Sequence, residues 1–315
     1  MSEDSKQNIY FLPVMSSLFW AMVPIVCSVV FHHGFDPIYV SAVRFILGTF
    51  SLYLLMQLFS KEKIKLTRSN VSVFCFIGFI GVFLYNILFF VGLSLSLVVH
   101  SVAFMAMIPI WTFIVAYIFL NEVFTFQKAL GVVLGFVGVI FILSDHGNGI
   151  SSAFHIGNNI FLGDILFLLA ALVFAFYAVF TRKFLHSYPP LAMTTYVHIF
   201  GTFFLLLFSL LVTDIYEQTQ KITWVDSLAF IYLGLIGTAA AFFCWFRALS
   251  FLGPTKTAIF LNLVPVWGVL FSVFLIGETL SMVAAIGISF IIFGVFCVQS
   301  KRMLIFNLRP KFKRK

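Results

Sequence analysis

The sequence predicts an all-α integral membrane protein of ten transmembrane helices, arranged as two inverted repeats of five helices each. Three observations support this fold class: the composition, a series of ten apolar stretches with short polar breaks, and a set of unusual residues that recurs at one offset. Hydrophobic residues make up 62% of the chain and charged residues 10%, whereas a soluble domain is about 45–50% apolar and about 25% charged. A chain this apolar cannot form a water-facing surface, which excludes a soluble globular protein.

Each predicted element is an apolar stretch close to the roughly 20 residues that an α-helix needs to cross the hydrocarbon core of a bilayer. Ten such helices use about 200 residues of the chain, so only short loops remain and no soluble domain fits between them. The stretches are too long for the strands of a membrane β-barrel. In chain order they are residues 9–31, 37–59, 71–94, 98–120, 126–144, 161–183, 190–213, 226–250, 255–276 and 280–300.

The positive charges predict how these helices are oriented. The chain holds 19 lysine and arginine residues against 11 acidic residues, a formal charge of +8. With the N-terminus inside, nearly all basic residues fall in inner segments or in the tail 301–315, as the positive-inside rule requires. We therefore predict a multi-pass protein with both termini in the cytoplasm, and the small loops favour a bacterial inner membrane. Because the basic residues mark topology, no nucleic-acid partner is expected.

Residues other than the common apolar ones recur at a constant offset of 156 positions. The matched residues are Gly78, Gly81, Pro109, Trp111, Glu122, Gly131 and Gly138 with Gly234, Gly237, Pro265, Trp267, Glu278, Gly287 and Gly294. We therefore predict a first repeat over residues 9–144, a second over 161–300, and a basic cytoplasmic tail over 301–315. Since each repeat has five spans, the second enters the membrane from the opposite side. Inverted repeats of this kind are typical of secondary transporters.

Short motifs in both halves carry a resemblance to a known family. They are Phe19-Trp20-Ala21, Arg44-Phe45, Gly163-Asp164, Thr181-Arg182, and the series Ser101-Val102-Ala103, Pro109, Asn121-Glu122 and Gly131, which returns as Thr257-Ala258, Pro265, Gly277-Glu278 and Gly287. With these motifs the chain resembles the drug/metabolite transporter superfamily, in its ten-helix EamA branch, so each repeat is expected to be EamA-like. The resemblance implies alternating-access movement of small metabolites, often export of amino acids or related compounds. The sequence departs from the family pattern at Asn121, which replaces a glycine, and in helix seven, where Tyr196 and His198 stand in place of an arginine.

Two prolines at matched positions predict kinks in the fourth and ninth helices. Pro109 and Pro265 have no N–H, so each frees the carbonyl four residues earlier, that of Met105 or Leu261. A freed carbonyl is tolerated in a bilayer where a neighbouring helix or a wet cavity satisfies it. We expect both kinks to line a central cavity, and a kink that only shapes helix packing is the alternative.

Arg44 is the basic residue that lies well inside a predicted span. An arginine at such depth is costly, so it should face a cavity, a partner or the interface. One interpretation is a guanidinium that receives a substrate carboxylate or phosphate. The other is snorkelling, because Arg44 lies about 10 Å along its helix from the outer end.

Further candidates for the substrate site are polar and aromatic residues within the spans. The polar candidates, which either hydrogen-bond a substrate or bridge helices, are Asn86, Asn262 and His198. The aromatic candidates, which accompany the repeated motifs and otherwise pack against the core or lipid, are Trp20, Trp111 and Trp267. We predict that these side chains surround the substrate together with Arg44.

Glu122 and Glu278 end the fourth and ninth helices and are predicted to be structural. Each carboxylate lies near the positive end of the following helix and is expected to hold a tight turn. The four cysteines lie singly in apolar runs, and the histidines match no metal-ligand spacing. We therefore predict neither a metal site nor a cofactor.

Together these observations predict a secondary transporter that moves a small metabolite, an amino acid or related compound, by alternating access, with export as the expected direction. The protein is not expected to be an enzyme. Its expected partners are the small-molecule substrate and the lipid bilayer, and it is expected to act as a monomer or a homodimer. Two alternatives stay open: a membrane-embedded lipid-modifying enzyme and a non-transporting membrane scaffold.

Overall fold

The structure, a computed structural model, describes residues 3–59, 67–145, 158–271, 273–274 and 281–300. Within these ranges the regular secondary structure is entirely helical. Ten helices are long and apolar enough to cross a membrane, which confirms the all-α, ten-helix prediction. The predicted tail 301–315 and Glu278 lie outside the described residues.

The ten membrane helices, α1 to α10, follow the predicted stretches closely. Short connections join them, one of which contains the helix Ile215–Gln220 between α7 and α8. The spans are α1 Ile9–His32, α2 Pro37–Phe59, α3 Arg68–Leu95, α4 His100–Leu120, α5 Phe126–Ser144, α6 Asn159–Phe184, α7 Pro190–Val212, α8 Trp224–Leu252, α9 Pro254–Phe271 and α10 Met282–Gln299.

Among the described residues five of these helices are interrupted, and four of the interruptions come in matched pairs. The fifth divides α1 at Met22, before Pro24, and has no counterpart in α6. A π-helical segment divides α3 at Phe79–Leu84 and α8 at Tyr232–Ala240. The regular helix of α4 stops at Met105 and resumes at Ile108, immediately before Pro109. In α9 a 3₁₀ segment, Ile259–Asn262, precedes the helix that contains Pro265. Because proline cannot donate a hydrogen bond to the preceding turn, the breaks in α4 and α9 lie just before Pro109 and Pro265.

The helices pack as two groups of three. The first bundle consists of α3, α4 and α6, and the second bundle consists of α8, α9 and α1. At the repeat offset α3, α4 and α6 correspond to α8, α9 and α1, so each bundle combines two helices of one half with one helix of the other. α2 packs against α7, and α5 packs against α10. These matched contacts and matched interruptions support the predicted repeat, whose inverted relation stays a prediction.

Glycine allows α5 and α10 to touch backbone to backbone. A Cβ atom added at Gly131 would lie 2.6 Å from the carbonyl oxygen of Gly294, and one added at Gly138 would lie 2.5 Å from that of Gly287. The reciprocal positions are equally tight, at 2.6 Å and 2.7 Å. Small residues permit such close approach in membranes, where packing and not water exclusion drives helix association. These four glycines are therefore required by the crossing of the two fifth helices.

We expect Gly131→Ala to lower the stability of the protein in detergent, by about 1–3 kcal/mol, because the added methyl group forces α5 away from α10. Gly268→Ala in α9 is the matched control, since a Cβ atom there meets nothing within 4 Å. Thermal unfolding of the two variants measures the difference. Equal melting temperatures would contradict the packing described for α5 and α10.

Candidate functional site

A cavity lies between the first bundle and the second bundle, and α2 contributes one wall. The first bundle contributes Tyr85 and Asn86 from α3, and the second bundle contributes Trp20 and Pro265. The space not occupied by protein atoms is about 750 Å³, including the mouth. This volume includes open solvent, and the walls are mainly apolar and aromatic with a few polar groups, as in sites for small molecules.

The cavity lies in the middle of the bundle and in the half away from the start of α1. Its lining residues include Val23 in the second half of α1 and Ser101 at the beginning of α4. Toward the other side the two bundles are closed by rings: Phe174 lies 5.4 Å from Trp245, and Tyr177 lies 5.9 Å from Phe246, between ring centroids. The bundle is therefore packed shut on the side that bears the start of α1.

Two hydrogen bonds join the bundles at this closed side. The hydroxyl of Thr255 in α9 donates to Oε2 of Glu122 at the end of α4, at 2.7 Å. Nη1 of Arg182 in α6 donates to the carbonyl of Ser250 in α8, at 2.5 Å. Glu122 also forms an ion pair with Lys128, 2.6 Å from Oε1 to Nζ. Glu122 thus connects the α4–α5 turn to the opposite bundle.

Arg44 in α2 lines the cavity and is fixed by the π-helical segment of α8. Its Nε donates to the hydroxyl of Thr238 at 2.7 Å, and its Nη2 donates to the carbonyl of Gly237 at 3.1 Å. Thr238 in turn donates its hydroxyl proton to the carbonyl of Leu233, so its oxygen is free to accept from Arg44. Arg44 as a whole residue is only 4% exposed, and no ion pair among the described residues includes it. This wall therefore presents a fixed cation.

The same carbonyl positions Trp20. The indole Nε1 of Trp20 donates to Gly237 O at 3.1 Å, which places the ring at the junction of α1 and α8. The ring contacts Phe242 and Phe174 with centroids 5.1 Å and 6.1 Å away. Tyr85 lies 5.0 Å from Phe174. All four of these rings line the cavity, which gives it an aromatic floor beside the cation.

The polar groups of the lining are few. Nδ2 of Asn86 donates to the carbonyl of Val82 at 2.7 Å, which leaves its Oδ1 available in the cavity. The hydroxyl of Tyr85 lies 3.8 Å from the sulfur of Met105. No aspartate or glutamate is among the described residues that line the cavity. The site therefore combines one cation, a few neutral polar groups and apolar walls.

Of the predicted substrate contacts, the structure brings Trp20, Arg44, Asn86 and Pro265 together at the cavity. Met105 and Leu261, which lose their regular helical donors to the two prolines, line it as well. Pro109 itself does not; its neighbour Ile108 takes that place. The two matched prolines thus differ in what they present to the cavity.

The other predicted contacts lie outside the lining. His198 is fully buried in α7, with Nδ1 2.8 Å from the carbonyl of Thr194 and its ring stacked on Phe45. Asn262 is fully buried beside Gly135 of α5, and its amide has no hydrogen-bond partner among the described residues. These two positions face helix contacts and not the cavity.

The other two tryptophans that were predicted as substrate contacts, Trp111 and Trp267, contribute to helix packing around the site. Trp267 donates its Nε1 to the hydroxyl of Ser17 at 3.0 Å and so joins α9 to α1. Trp111 packs in α4 against buried Val115 and Ala175. Neither is among the residues that line the cavity.

Sequence reasoning missed the partners that hold Arg44. Thr238 is one of many threonines in the chain, so its residue type did not single it out. Gly237 acts through its backbone carbonyl, and every residue type has such a carbonyl. Sequence reasoning also missed a part-buried pair in the first turns of α4 and α6, where Nδ1 of His100 lies 2.9 Å from Oδ1 of Asp164. Asp164 follows the motif glycine of α6, and that motif is the signal that could have indicated a partner. No group of three metal-ligating side chains occurs within the described ranges.

We expect Thr238→Val to destabilise the protein by about 1–3 kcal/mol, because the buried Nε–H of Arg44 then has no acceptor. Thr238→Ser retains the acceptor and should stay close to wild type. Thermal unfolding in detergent compares the two variants. A valine variant as stable as the serine variant would show that Arg44 does not depend on this hydroxyl.

Comparisons with known proteins agree with the architecture. The profile of the EamA-like transporter family matches residues 7–144 and again residues 161–300. The uncharacterized transporter YyaM of Bacillus subtilis (strain 168) is 30% identical over 272 residues, which cover 83% of this chain and 84% of the relative. An uncharacterized transporter of Archaeoglobus fulgidus is 26% identical over 268 residues, covering 85% and 90%.

A solved crystal structure has the same fold. It superposes with a TM-score of 0.75 at 16% identity and covers 93% of this chain and 96% of its own. A structural similarity at this sequence identity shows the fold alone. Family membership is shown by the two profile matches, which cover nearly the whole sequence. The chain belongs to the EamA-like transporter family, within the drug/metabolite transporter superfamily.

Proposed function

We propose that this protein is a secondary transporter that moves a small metabolite by alternating access, and that the cavity is its substrate site. The observation that carries the proposal is a cavity between two matched bundles, which ring contacts and two hydrogen bonds hold together on the side that bears the start of α1. Two pseudo-symmetric groups of helices around a central site are the arrangement in which rocking exposes the site to each side in turn.

The closed side defines what must change in the transport cycle. To open it, the bonds from Thr255 to Glu122 and from Arg182 to Ser250 have to break. The interrupted helices α3, α4, α8 and α9 supply the bending points, since π-helical and proline breaks weaken the regular ladder. The first bundle contains two such helices, and the second bundle contains two such helices together with the divided α1.

The orientation follows from the charge distribution. With both termini in the cytoplasm, as the positive-inside rule favours, the closed side faces the cytoplasm and the cavity faces outward. The described conformation is then the one that releases an exported solute. The sequence predicts an amino acid or a related compound, and an organic acid without the amino group is one such related compound. Bacterial and archaeal relatives support a prokaryotic inner membrane. We propose that the working unit is a monomer or a homodimer.

Family membership speaks against the lipid-modifying enzyme, since the profile and the relatives are those of transporters. The scaffold alternative differs from the proposal in one measurable respect. A scaffold produces no solute flux in a purified system, whereas a secondary transporter produces saturable flux with competition between related solutes.

We expect Pro265→Ala to lower the maximal flux in proteoliposomes by about an order of magnitude, which corresponds to about 1.4 kcal/mol in the rate-limiting step. The reason is that alanine restores a helical N–H at a cavity-lining break in α9. Pro190→Ala is the matched control, because Pro190 is the first residue of α7, where proline is normally accommodated. Both variants should insert and purify like the wild type.

Flux of labelled amino acids and small carboxylates, with and without a pH gradient, is the measurement. Flux that rises linearly with concentration and shows no competition between solutes would refute the proposed function. Equal flux in Pro265→Ala and Pro190→Ala would remove the α9 break from the mechanism.

A further inference from the structure

We propose that the cavity selects organic monocarboxylates with an apolar body about the size of one aromatic ring, in preference to the corresponding amino acids and amines. This inference rests on the proposed function in one respect, since it takes the cavity as the substrate site. It goes further by choosing among the chemical classes that a metabolite transporter could carry.

The first step concerns the N–H groups of the Arg44 guanidinium that are not used in hydrogen bonds to α8. Nε and Nη2 each donate one hydrogen bond, to Thr238 and to Gly237 O. A guanidinium carries five N–H donors, so both N–H groups of Nη1 and one of Nη2 remain for a ligand. Donors on adjacent nitrogens form the fork that binds a carboxylate through both of its oxygens. Because α8 holds the other donors, the fork is oriented before a ligand arrives.

The second step is that Arg44 has no ion-pair partner among the described residues. Arg44 is buried, and the ionisable groups near it include the thiol of Cys27 and the phenols of Tyr85 and Tyr232. Thiols and phenols are largely neutral at physiological pH. A buried cation without an anion is costly, and a bound carboxylate offsets that cost. The resting site therefore favours an anionic ligand.

The third step is the lack, among the described lining residues, of a carboxylate to pair with an ammonium group. The acidic side chains that form ion pairs elsewhere in the described structure already face their own basic partners; they are Asp164, Glu122, Asp226 and Glu217. None of them lines the cavity. An ammonium group in this cavity would meet the like charge of Arg44 at low dielectric, where repulsion is strong. The charge pattern thus discriminates against both zwitterions and amines.

The fourth step concerns the rest of the ligand. The rings of Trp20, Tyr85, Phe174 and Phe242 form a continuous floor, with neighbouring centroids 5.0–6.1 Å apart. Apolar walls of this kind gain by removing apolar surface of a ligand from water. A second carboxylate would find no second cation in the described lining. One negative charge and one apolar body therefore match the site.

The test uses three probes that share a ring and a two-carbon chain: 3-phenylpropanoate, phenylalanine and 2-phenylethylamine. Binding to the purified protein in detergent is measured by calorimetric titration near neutral pH. We expect 3-phenylpropanoate to bind at least about tenfold more tightly than either other probe, as one charge-assisted pair implies. Equal or tighter binding of phenylalanine or the amine, or no measurable binding of 3-phenylpropanoate, would overturn the proposal.

Variants connect the preference to the cavity. Arg44→Gln should abolish binding of 3-phenylpropanoate, whereas Arg247→Gln removes an exposed arginine of α8 that stacks on Phe251 and should bind like wild type. Asn86→Asp places a carboxylate in the lining, so it should weaken binding of the anion and strengthen binding of the amine, each by about tenfold. A gain in amine binding cannot result from misfolding. If Asn86→Asp bound the anion and the amine with the same affinities as the wild type, the proposal that charge in the cavity selects the ligand would be contradicted.

Flux measurements separate this inference from the proposed function. If 3-phenylpropanoate binds in an Arg44-dependent way but shows no saturable flux, the ligand class stands and the transport proposal fails. If phenylalanine shows saturable flux and binds better than 3-phenylpropanoate, the transport proposal stands and the ligand class fails.

Discussion

The attachment of the Arg44 guanidinium to the interrupted part of α8 is the interaction on which the site depends. A buried cation in a bilayer-spanning helix has to be satisfied by neighbouring polar groups, and here a threonine hydroxyl and a backbone carbonyl do so. The same carbonyl receives the indole N–H of Trp20. Helices α1, α2 and α8 therefore meet at one oxygen atom, and the cation, the aromatic floor and the cavity wall take their positions from it.

That oxygen lies in the π-helical segment of α8, where the helix is irregular. Regular helices satisfy their own carbonyls, which is why they can cross a bilayer at all. In the π-helical segment of α8, the hydroxyl of Thr238 bonds to Leu233 O, and Gly237 O accepts two side chains from other helices. The matched segment of α3 lies directly before the cavity residues Tyr85 and Asn86. Irregular backbone in this protein thus coincides with the cavity, as is general for membrane proteins.

The ten spans could be predicted from the sequence because bilayer thickness fixes the length of an apolar helix. The repeat offset was also readable, since proline, tryptophan, glycine and glutamate recur together in one order. Arg44, Asn86 and Pro265 were identifiable as candidates because charge, amide and proline are rare within a span, and Trp20 was identifiable because it belongs to a family motif. His198 and Asn262 satisfied the same criterion but lie against helix neighbours. Residue type shows that a polar group needs a partner and does not show whether that partner is a helix or a ligand.

The sequence by itself determined the membrane class, the number of spans, the family motifs and several residues that line the cavity. These features depend on local composition and on the order of residues along the chain. Only the tertiary structure decided which side of the bundle is packed shut, which of the two matched prolines reaches the cavity, and which groups hold Arg44. Those features depend on atoms far apart in the chain, such as Glu122 with Thr255 and Arg44 with Gly237. A backbone carbonyl exists at every position, so its use as a partner follows only from how the helices pack.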